Sequence, residues 1–261
     1  MKIGLFVSFM AICLLGPAYA LGQTNAEILL DAENELSELG CMAYQSSATA
    51  PGTGAACRAN CFRDELGNSG WDYVYKGPGN RSANAIWWIG DSRTVGMYKR
   101  NVLQLAGNNE AVLARVGMGY SWFNGTALPK LRTCLCDGDT VILTMGANDV
   151  SSPDRAIRNY TGAYQNLIQT YRNVKFYVLS VNPVLENLAQ QRGYSIRNAD
   201  IETFNEGMSN AFSSSYINTY DNVSRILEDN NGCSDDGVHY NNRCRIEQDV
   251  YDTVMNKVNG S

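Results

Sequence analysis

From Ala85 onward, short apolar runs alternate with segments of helical periodicity, and this alternation constrains the fold more than any other feature. Each apolar run has the length of a strand that is buried on both faces. The predicted strands are 85–89, 111–116, 140–145, 174–181 and 216–220. The predicted helices between and after them are 95–105, 154–171, 195–212 and 243–258. Such a succession predicts a three-layer α/β/α fold, in which helices cover both faces of a parallel sheet of about five strands.

The first twenty residues have the pattern of a secretory signal peptide. Lys2 precedes an almost continuous apolar stretch over 3–15, and Ala18-Tyr19-Ala20 has the small-x-small form of a cleavage site. The stretch is shorter than a membrane span, and no later stretch is long enough. We therefore expect an exported protein, secreted or periplasmic, with no stable membrane insertion after cleavage. An uncleaved N-terminal anchor is the alternative interpretation.

The segment between this leader and the alternating region has a different character. It contains a helical pattern at 24–40, a loop rich in small residues at 48–56, and an alternating run at 71–75 that is typical of an edge strand. We predict a signal peptide over 1–20, a small cysteine-containing extension over 21–82, and the main domain over 83–261.

Eight cysteines are present, and only Cys13 lies within the predicted leader. In an exported chain this content predicts disulfides, and the odd number that remains leaves one thiol free or paired outside the chain. The connectivity stays open, although proximity favours a bond between Cys233 and Cys244, and closing so short a loop contributes about 3 kcal/mol. A zinc site is the alternative, but the spacings do not form two C-x-x-C knuckles.

The charge balance bears on the possible partners. The chain has 21 Lys and Arg against 26 Asp and Glu side chains. Phosphate binding requires a basic surface, so this balance argues against a nucleic-acid partner.

A serine follows the first predicted strand directly, in Gly90-Asp91-Ser92-Arg93. A serine at a strand-to-helix turn presents its hydroxyl near the backbone N–H groups that begin the helix, and these can stabilise an oxyanion. The alternative is that Asp91 or Ser92 only caps the helix.

A carboxylate and an imidazole lie three residues apart near the end of the chain, in Asp236-Gly237-Val238-His239. This spacing allows the carboxylate to hold one ring nitrogen while the other faces a serine. His239 is also the only histidine in the chain. If the chain performs acyl chemistry through a hydroxyl, there is therefore one candidate base.

Further donors follow two other predicted strands. Asn148 comes shortly after the third strand, and Gly117 and Gly119 come after the second. An amide side chain and bare backbone N–H groups there can approach a ligand, because ligands bind outside the carboxyl ends of the strands in such sheets. Each of these residues is also common in ordinary turns.

The order of these pieces, Ser, Gly, Asn and Asp-x-x-His, resembles the SGNH hydrolases, also called the GDSL esterase/lipase superfamily, and in particular exported bacterial members. The resemblance covers about residues 83–260 and includes all four sequence blocks. It implies a flavodoxin-like sandwich in which Ser92 is the nucleophile, His239 the base and Asp236 its orienting acid. It also implies an oxyanion hole made by the Ser92 N–H, the Gly119 N–H (with Gly117 as the alternative) and the Asn148 amide. The chain departs from the pattern in having Arg93 where the first block ends in Leu, and in lacking the Asn that often precedes the second-block glycine.

The function that this resemblance implies is that of a secreted serine esterase. It would hydrolyse small acyl esters, above all acetyl esters, on a carbohydrate through an acyl-enzyme, with no metal or cofactor. Arg93, Tyr120 and Trp122 are the residues predicted to contact the substrate. The alternatives are an acyltransferase that acts on a glycan hydroxyl, a longer-chain lipase or thioesterase, and a non-catalytic SGNH-like binding module.

Overall fold

A computed structural model of the chain describes residues 57–260, and a single seven-stranded sheet lies at the centre of this part. The strands are β1 (Glu65–Leu66), β2 (Tyr73–Lys76), β3 (Ile86–Gly90), β4 (Glu110–Arg115), β5 (Thr140–Thr144), β6 (Lys175–Leu179) and β7 (Tyr216–Ile217). Their order is β1-β2-β4-β3-β5-β6-β7. The five strands from β4 to β7 in this order are parallel, whereas β1 and β2 run antiparallel to their neighbours.

Helices connect the parallel strands and pack on both faces of the sheet. They are α1 (Ser92–Lys99), α2 (Tyr120–Trp122), α3 (Leu128–Arg132), α4 (Pro153–Thr170), α5 (Glu186–Gln191), α6 (Asn198–Phe212), α7 (Tyr220–Asp229) and α8 (Ile246–Asn259). A π-helical turn over Phe123–Ala127 joins α2 to α3. Within residues 57–260, no helix combines the length and the apolar character that a membrane crossing requires.

Two hydrophobic cores lie on opposite faces of the sheet, and the strand residues alternate between them. On β3, Trp87 and Ile89 face the core that also contains residues of α4 and α6. Trp88 faces the second core, which contains residues of α1, α7 and α8. This alternation follows from the two-residue period of a strand, and it explains why the parallel strands are apolar on both sides. The predicted α/β/α sandwich with five parallel strands is therefore confirmed.

The differences from the predicted elements have local causes. The strand predicted over 216–220 is only Tyr216–Ile217, because α7 begins at Tyr220. No helix was predicted from the sequence in the segments that form α2, α3, α5 and α7. Gly125 and the β-branched Thr126 in the π-helical turn are poor helix formers, so the sequence after Gly119 has no clear helical pattern.

The described part of the predicted extension is integrated into the sheet. β2 pairs along its whole length with β4, and disulfides join Cys57 to Cys136 and Cys61 to Cys134. The predicted domain boundary at residue 82 stays a prediction, because much of the predicted extension lies before residue 57. The predicted signal peptide, the helical pattern at 24–40 and Cys41 lie outside the described residues.

A buried ion pair reinforces this attachment. Arg58 is 2% exposed and Asp139 is fully buried, and their side chains form a salt bridge. The same guanidinium donates to the carbonyls of Arg81 and Ala83, at 2.9 and 2.6 Å. Asp139 also accepts hydrogen bonds from the Ala85 N–H at 2.8 Å, the Trp87 indole at 3.2 Å and the Cys136 N–H at 3.0 Å. This network lies at the amino ends of the parallel strands.

Candidate active site

The sheet topology creates a crevice at the carboxyl end of β3. The chain leaves β3 for β4 on one side and later returns to β5 on the other, so the two connections diverge at this point. Ligands of open α/β sheets bind at such switch points. Ser92 is the first residue of α1 and follows β3 immediately, and Asn148 follows β5.

The turn that carries Ser92 is held by Asp91. The Asp91 carboxylate caps α1 by accepting a hydrogen bond of 3.0 Å from the Arg93 N–H. Asp91 is 1% exposed, and burial raises the pKa of its carboxyl group although the Arg93 charge opposes this. Thr94 and Thr144 share a hydrogen bond of 2.6 Å that ties α1 to β5. Capping is therefore the role of Asp91, which leaves the Ser92 hydroxyl available for other contacts.

A continuous chain of hydrogen bonds joins Ser92, His239 and Asp236. The Ser92 Oγ lies 2.8 Å from the His239 Nε2, and the His239 Nδ1 lies 2.6 Å from the Asp236 Oδ2. The sequence separation between Ser92 and His239 is 147 residues, so only the folded chain brings them together. In this arrangement a hydroxyl can pass its proton to an imidazole while the carboxylate stabilises the imidazolium.

The surroundings of Asp236 keep it ionised. Partial burial by itself would raise its pKa, but the His239 ring and the backbone N–H groups of His239 and Val238 donate to the carboxylate and lower its pKa to about 2. Both of these backbone bonds are 2.8 Å long and reach Oδ1. Oδ2 is therefore the oxygen that faces the imidazole.

The loop that carries this acid–base pair is closed on itself. Cys233 and Cys244 form the disulfide that their proximity in the sequence favoured. Inside this bridge, the Ser234 hydroxyl donates to the His239 carbonyl at 2.7 Å and accepts from the Gly237 N–H at 2.8 Å. Gly237 has φ +86° and its Cα faces the backbone of Ala189 in α5, where a Cβ would collide. The loop thus needs glycine at this position to pack against α5.

Removing the Cys233–Cys244 bridge is expected to affect stability and catalysis together. A double Cys233→Ser/Cys244→Ser variant should lose about 3 kcal/mol of unfolding free energy, because a short loop is no longer closed in the unfolded chain. The looser loop should also lower kcat for an ester by about tenfold or more. Urea unfolding and ester hydrolysis measure the two effects.

The matched control is Cys61→Ser/Cys134→Ser, which removes a bridge at the opposite end of the sheet. It should lower stability and leave kcat within about twofold of the wild type, because the bridge lies at the amino ends of the strands, whereas Ser92 lies at the carboxyl end of β3. An equal loss of kcat in both double variants would mean that general destabilisation, rather than the position of the acid–base pair, causes the effect.

The three predicted oxyanion donors other than Ser92 lie in the loops that follow β4 and β5. The Asn148 Nδ2 donates to the Met118 carbonyl at 3.0 Å and approaches the Asp91 carboxylate at 3.5 Å. Gly117, with φ +70°, lines the same cleft as Ser92. Gly119 faces the Asp149 carboxylate so closely that a side chain there would collide with it. The loop after β4 is thus fastened to the loop after β5.

Gly117 and Asn148 border one open cleft of ≈ 240 Å³ together with Ser92 and His239, whereas Gly119 is not part of its lining. Its polar lining includes Ser92, Asn148 and His239, which lie side by side at the carboxyl end of the sheet. The remaining lining residues are Arg93, Val116, Gly117, Ala147, Val150, Ser151, Tyr194, Ser195, Ile196 and Val238. The cleft is therefore a polar reaction centre with mainly apolar walls, which is the usual character of a small-molecule site.

Of the residues predicted to contact the substrate, Arg93 lines the cleft and Tyr120 does not. Arg93 lines the cleft, but its guanidinium donates to the Asn182 carbonyl at 2.6 Å and lies over the Tyr240 ring. Tyr120 packs edge-on against Tyr160 and is not part of the cleft lining.

Trp122 requires a correction. It is 7% exposed, stacks on Tyr75 and donates to its hydroxyl at 3.3 Å. The expectation that it contacts substrate does not fit this position, because the side chain belongs to the core.

Two residues of the site were not singled out from the sequence. Asp149 accepts hydrogen bonds from the Tyr160 hydroxyl at 2.7 Å and the Tyr120 N–H at 2.9 Å, and burial raises its pKa. The position of Asp149 directly after Asn148 in the sequence is the signal that could have identified it as part of the site. Tyr194 lines the cleft beside His239. It lies outside every sequence block, so no pattern pointed to it.

Several solved structures have the same fold as this chain. A putative platelet activating factor from Streptococcus pneumonia matches with a TM-score of 0.54 and 20% identity, over 89% of this chain and 99% of that one. An acetylxylan esterase from Geobacillus stearothermophilus matches with a TM-score of 0.50 and 13% identity, over 70% and 95%. The catalytic domain of a peptidoglycan O-acetyltransferase from Streptococcus pneumoniae matches with a TM-score of 0.51 and 16% identity, over 68% and 94%.

Other matching structures are described as GDSL-like lipases and a putative acylhydrolase. No protein-family model and no curated protein sequence matches the chain. At these identities the structural matches establish the fold, which is the one that the resemblance to SGNH hydrolases implied.

Proposed function

We propose that this protein is an SGNH-type serine esterase that removes small acyl groups, above all acetyl groups, from a carbohydrate. The observation that carries the proposal is the hydrogen-bonded series Ser92–His239–Asp236, which opens into a cleft at the switch point of the sheet. The fold shared with an acetylxylan esterase supports the acetyl ester, and the three disulfides within residues 57–260 suit an exported protein.

The first half-reaction forms an acyl-enzyme. The Ser92 Oγ attacks the ester carbonyl carbon while the His239 Nε2 takes the hydroxyl proton, and Asp236 stabilises the resulting imidazolium. The negative charge on the carbonyl oxygen is held by the Ser92 N–H, by the N–H of Gly119 or Gly117, and by the Asn148 amide. The carbon–oxygen bond to the alcohol then breaks, and the leaving oxygen takes the proton from His239.

The second half-reaction repeats these steps with water. His239 removes a proton from the water as its oxygen attacks the acyl carbon, and the carboxylic acid leaves as Ser92 recovers its proton. Every proton in the cycle passes through the one imidazole. Each oxyanion donor is expected to contribute roughly 3 kcal/mol to the transition state.

An acyltransferase is the second candidate, because a glycan hydroxyl can replace water in the second half-reaction. The fold shared with a peptidoglycan O-acetyltransferase domain favours this candidate over a binding module.

The test is hydrolysis of p-nitrophenyl acetate, butyrate and octanoate by the purified protein, with and without an oligosaccharide acceptor. We expect acetate to have the highest kcat/KM, by about tenfold over octanoate. A preference for octanoate would point to a lipase. An acetylated oligosaccharide detected by mass spectrometry, formed faster than free acetate, would identify a transferase. A folded protein that cleaves no ester and transfers no acyl group would support the binding module.

A further inference from the structure

Tyr194 presents an exposed aromatic ring to the cleft. Within residues 57–260 the exposed large hydrophobic side chains are Leu66, Trp71, Val116 and Tyr194. Of these, Val116 and Tyr194 line the cleft that contains Ser92. Single exposed apolar residues are common on protein surfaces, but an aromatic ring that is 39% exposed beside the nucleophile indicates a contact surface.

The chemistry of the base shows which half of the substrate Tyr194 faces. The His239 Nε2 must reach the oxygen of the leaving alcohol to protonate it, so the alcohol lies on the imidazole side of Ser92. The Tyr194 ring centre lies 6.3 Å from that of His239, and the two rings are inclined at 71°. Asn148 and Gly117, the predicted oxyanion donors, come instead from the loops after β5 and β4, which the Asn148–Met118 hydrogen bond joins. Tyr194 therefore borders the alcohol half of the ester rather than the acyl half.

The backbone at Tyr194 is fixed by the end of α5. The Tyr194 N–H donates to the Ala189 carbonyl and the Gly193 N–H to the Gln190 carbonyl, both at 3.0 Å. With φ +87° at Gly193, these two bonds form a Schellman motif, which needs a left-handed residue at this position. Helix α5 is itself joined to the acid–base loop, because the Leu185 N–H donates to the Gly237 carbonyl at 2.9 Å.

The side chain is also anchored at its tip. The Tyr194 hydroxyl donates to the Asp236 Oδ2 at 3.4 Å. The backbone bonds and this long hydrogen bond thus restrain the ring, while its remaining surface stays open to the cleft. A rigid ring loses little conformational freedom when a ligand stacks on it, which favours binding.

We propose that Tyr194 is a specificity-determining residue whose ring stacks against the sugar ring that carries the ester. This inference rests on the proposed esterase function, because the alcohol side of the cleft is defined by the role of His239. A sugar ring presents apolar C–H groups on its faces and hydroxyls at its edge. The hydroxyls of Ser195 and Ser151 line the same cleft and can meet that edge, whereas an aliphatic alcohol would use neither.

The experiment compares two acetyl esters that differ only in the alcohol. An acetylated methyl glycoside contains the sugar ring, and ethyl acetate lacks any ring. In Tyr194→Ala, kcat/KM for the glycoside should fall about fivefold or more through a higher KM, while kcat/KM for ethyl acetate stays within about twofold. Tyr194→Phe keeps the ring and should preserve the ratio of the two rates. Trp71→Ala removes an exposed aromatic ring outside the cleft and should change neither rate.

Three outcomes would overturn the proposal. An equal fall on both esters in Tyr194→Ala would mean that the residue acts only by positioning Asp236. A larger fall on octyl acetate than on the glycoside would assign the ring to an aliphatic alcohol. No change in either rate in Tyr194→Ala would exclude any role in recognising the alcohol.

If the esterase proposal itself is wrong, the wild type will cleave neither ester, and this result differs from the three outcomes above. Calorimetry with an unacetylated oligosaccharide still tests Tyr194 in that case. If Tyr194 stacks on the sugar, the single variant Ser92→Ala should bind the oligosaccharide about fivefold more tightly than the double variant Ser92→Ala/Tyr194→Ala. Equal affinity of the two variants would refute stacking.

Discussion

Replacing Ser92 with alanine is expected to lower kcat for p-nitrophenyl acetate by roughly 10⁶-fold. The Ser92 Oγ is the atom that would form the acyl-enzyme, and its distance of 2.8 Å from the His239 Nε2 provides the route for its proton. His239→Ala should cause a similar loss, and the double variant should lose little more, because the two residues act as a unit. Steady-state hydrolysis of the three variants measures this non-additivity.

Two controls make this result specific. Ser214→Ala removes an exposed hydroxyl outside the cleft and should keep kcat within about twofold of the wild type. A sulfonyl fluoride should add to one residue in the wild type and to none in Ser92→Ala, as measured by intact-protein mass spectrometry. If Ser92→Ala retained more than a hundredth of the activity, the nucleophile would lie elsewhere and the proposed mechanism would fail.

Removing the charge of Arg58 is expected to lower the stability of the protein strongly, although Arg58 lies outside the site. In Arg58→Met, the fully buried Asp139 carboxylate keeps three N–H donors but loses the one cationic partner that it has within residues 57–260, which costs about 3–5 kcal/mol of unfolding free energy. Asp139→Ala should cost at least as much, because it leaves the buried guanidinium and the three donors unpaired. Urea unfolding with the disulfides intact gives both values.

The comparison is Lys76→Met, which breaks the exposed pair between Lys76 and Asp64 on the same side of the sheet. That pair spans 3.8 Å, and the change should alter stability by less than about 1 kcal/mol. An Arg58→Met variant as stable as Lys76→Met would show that Arg58 does not hold the described part of the extension to the domain. The ester hydrolysis rate at 25 °C should stay near the wild-type value in both, since the pair lies at the end of the sheet opposite Ser92.

The local parts of the site were predictable because each depends on a short stretch of sequence. An apolar run followed by Gly-Asp-Ser places a serine at the start of a helix, and the three-residue spacing of Asp236 and His239 allows one carboxylate to meet the imidazole and its backbone N–H. The proximity of Cys233 and Cys244 favoured their bond for the same reason. The alternation of strands and helices likewise implied the layers of the fold.

Other features could not be predicted because they depend on how distant segments meet. Trp122 lies among aromatic residues typical of a sugar site, but its burial depends on β2, which supplies Tyr75 from an antiparallel strand. Tyr194 has no neighbouring pattern, and its place in the cleft depends on the fit between α5 and Gly237. The two disulfides near the amino ends of the strands join residues 73 and 79 positions apart.

The identity and the local conformation of the groups that could react depend on short stretches of the chain. Ser92 and Asn148 follow apolar runs that form strands, and hydrogen bonds within three residues set the geometry of the Asp236–His239 pair. The contact between Ser92 and His239, the joint burial of Arg58 and Asp139, and the position of Tyr194 beside the cleft depend on how distant segments pack in the folded chain. The physical reason is the range of the interactions: strand order and helix packing bring together groups up to 147 residues apart, and no local pattern encodes that distance.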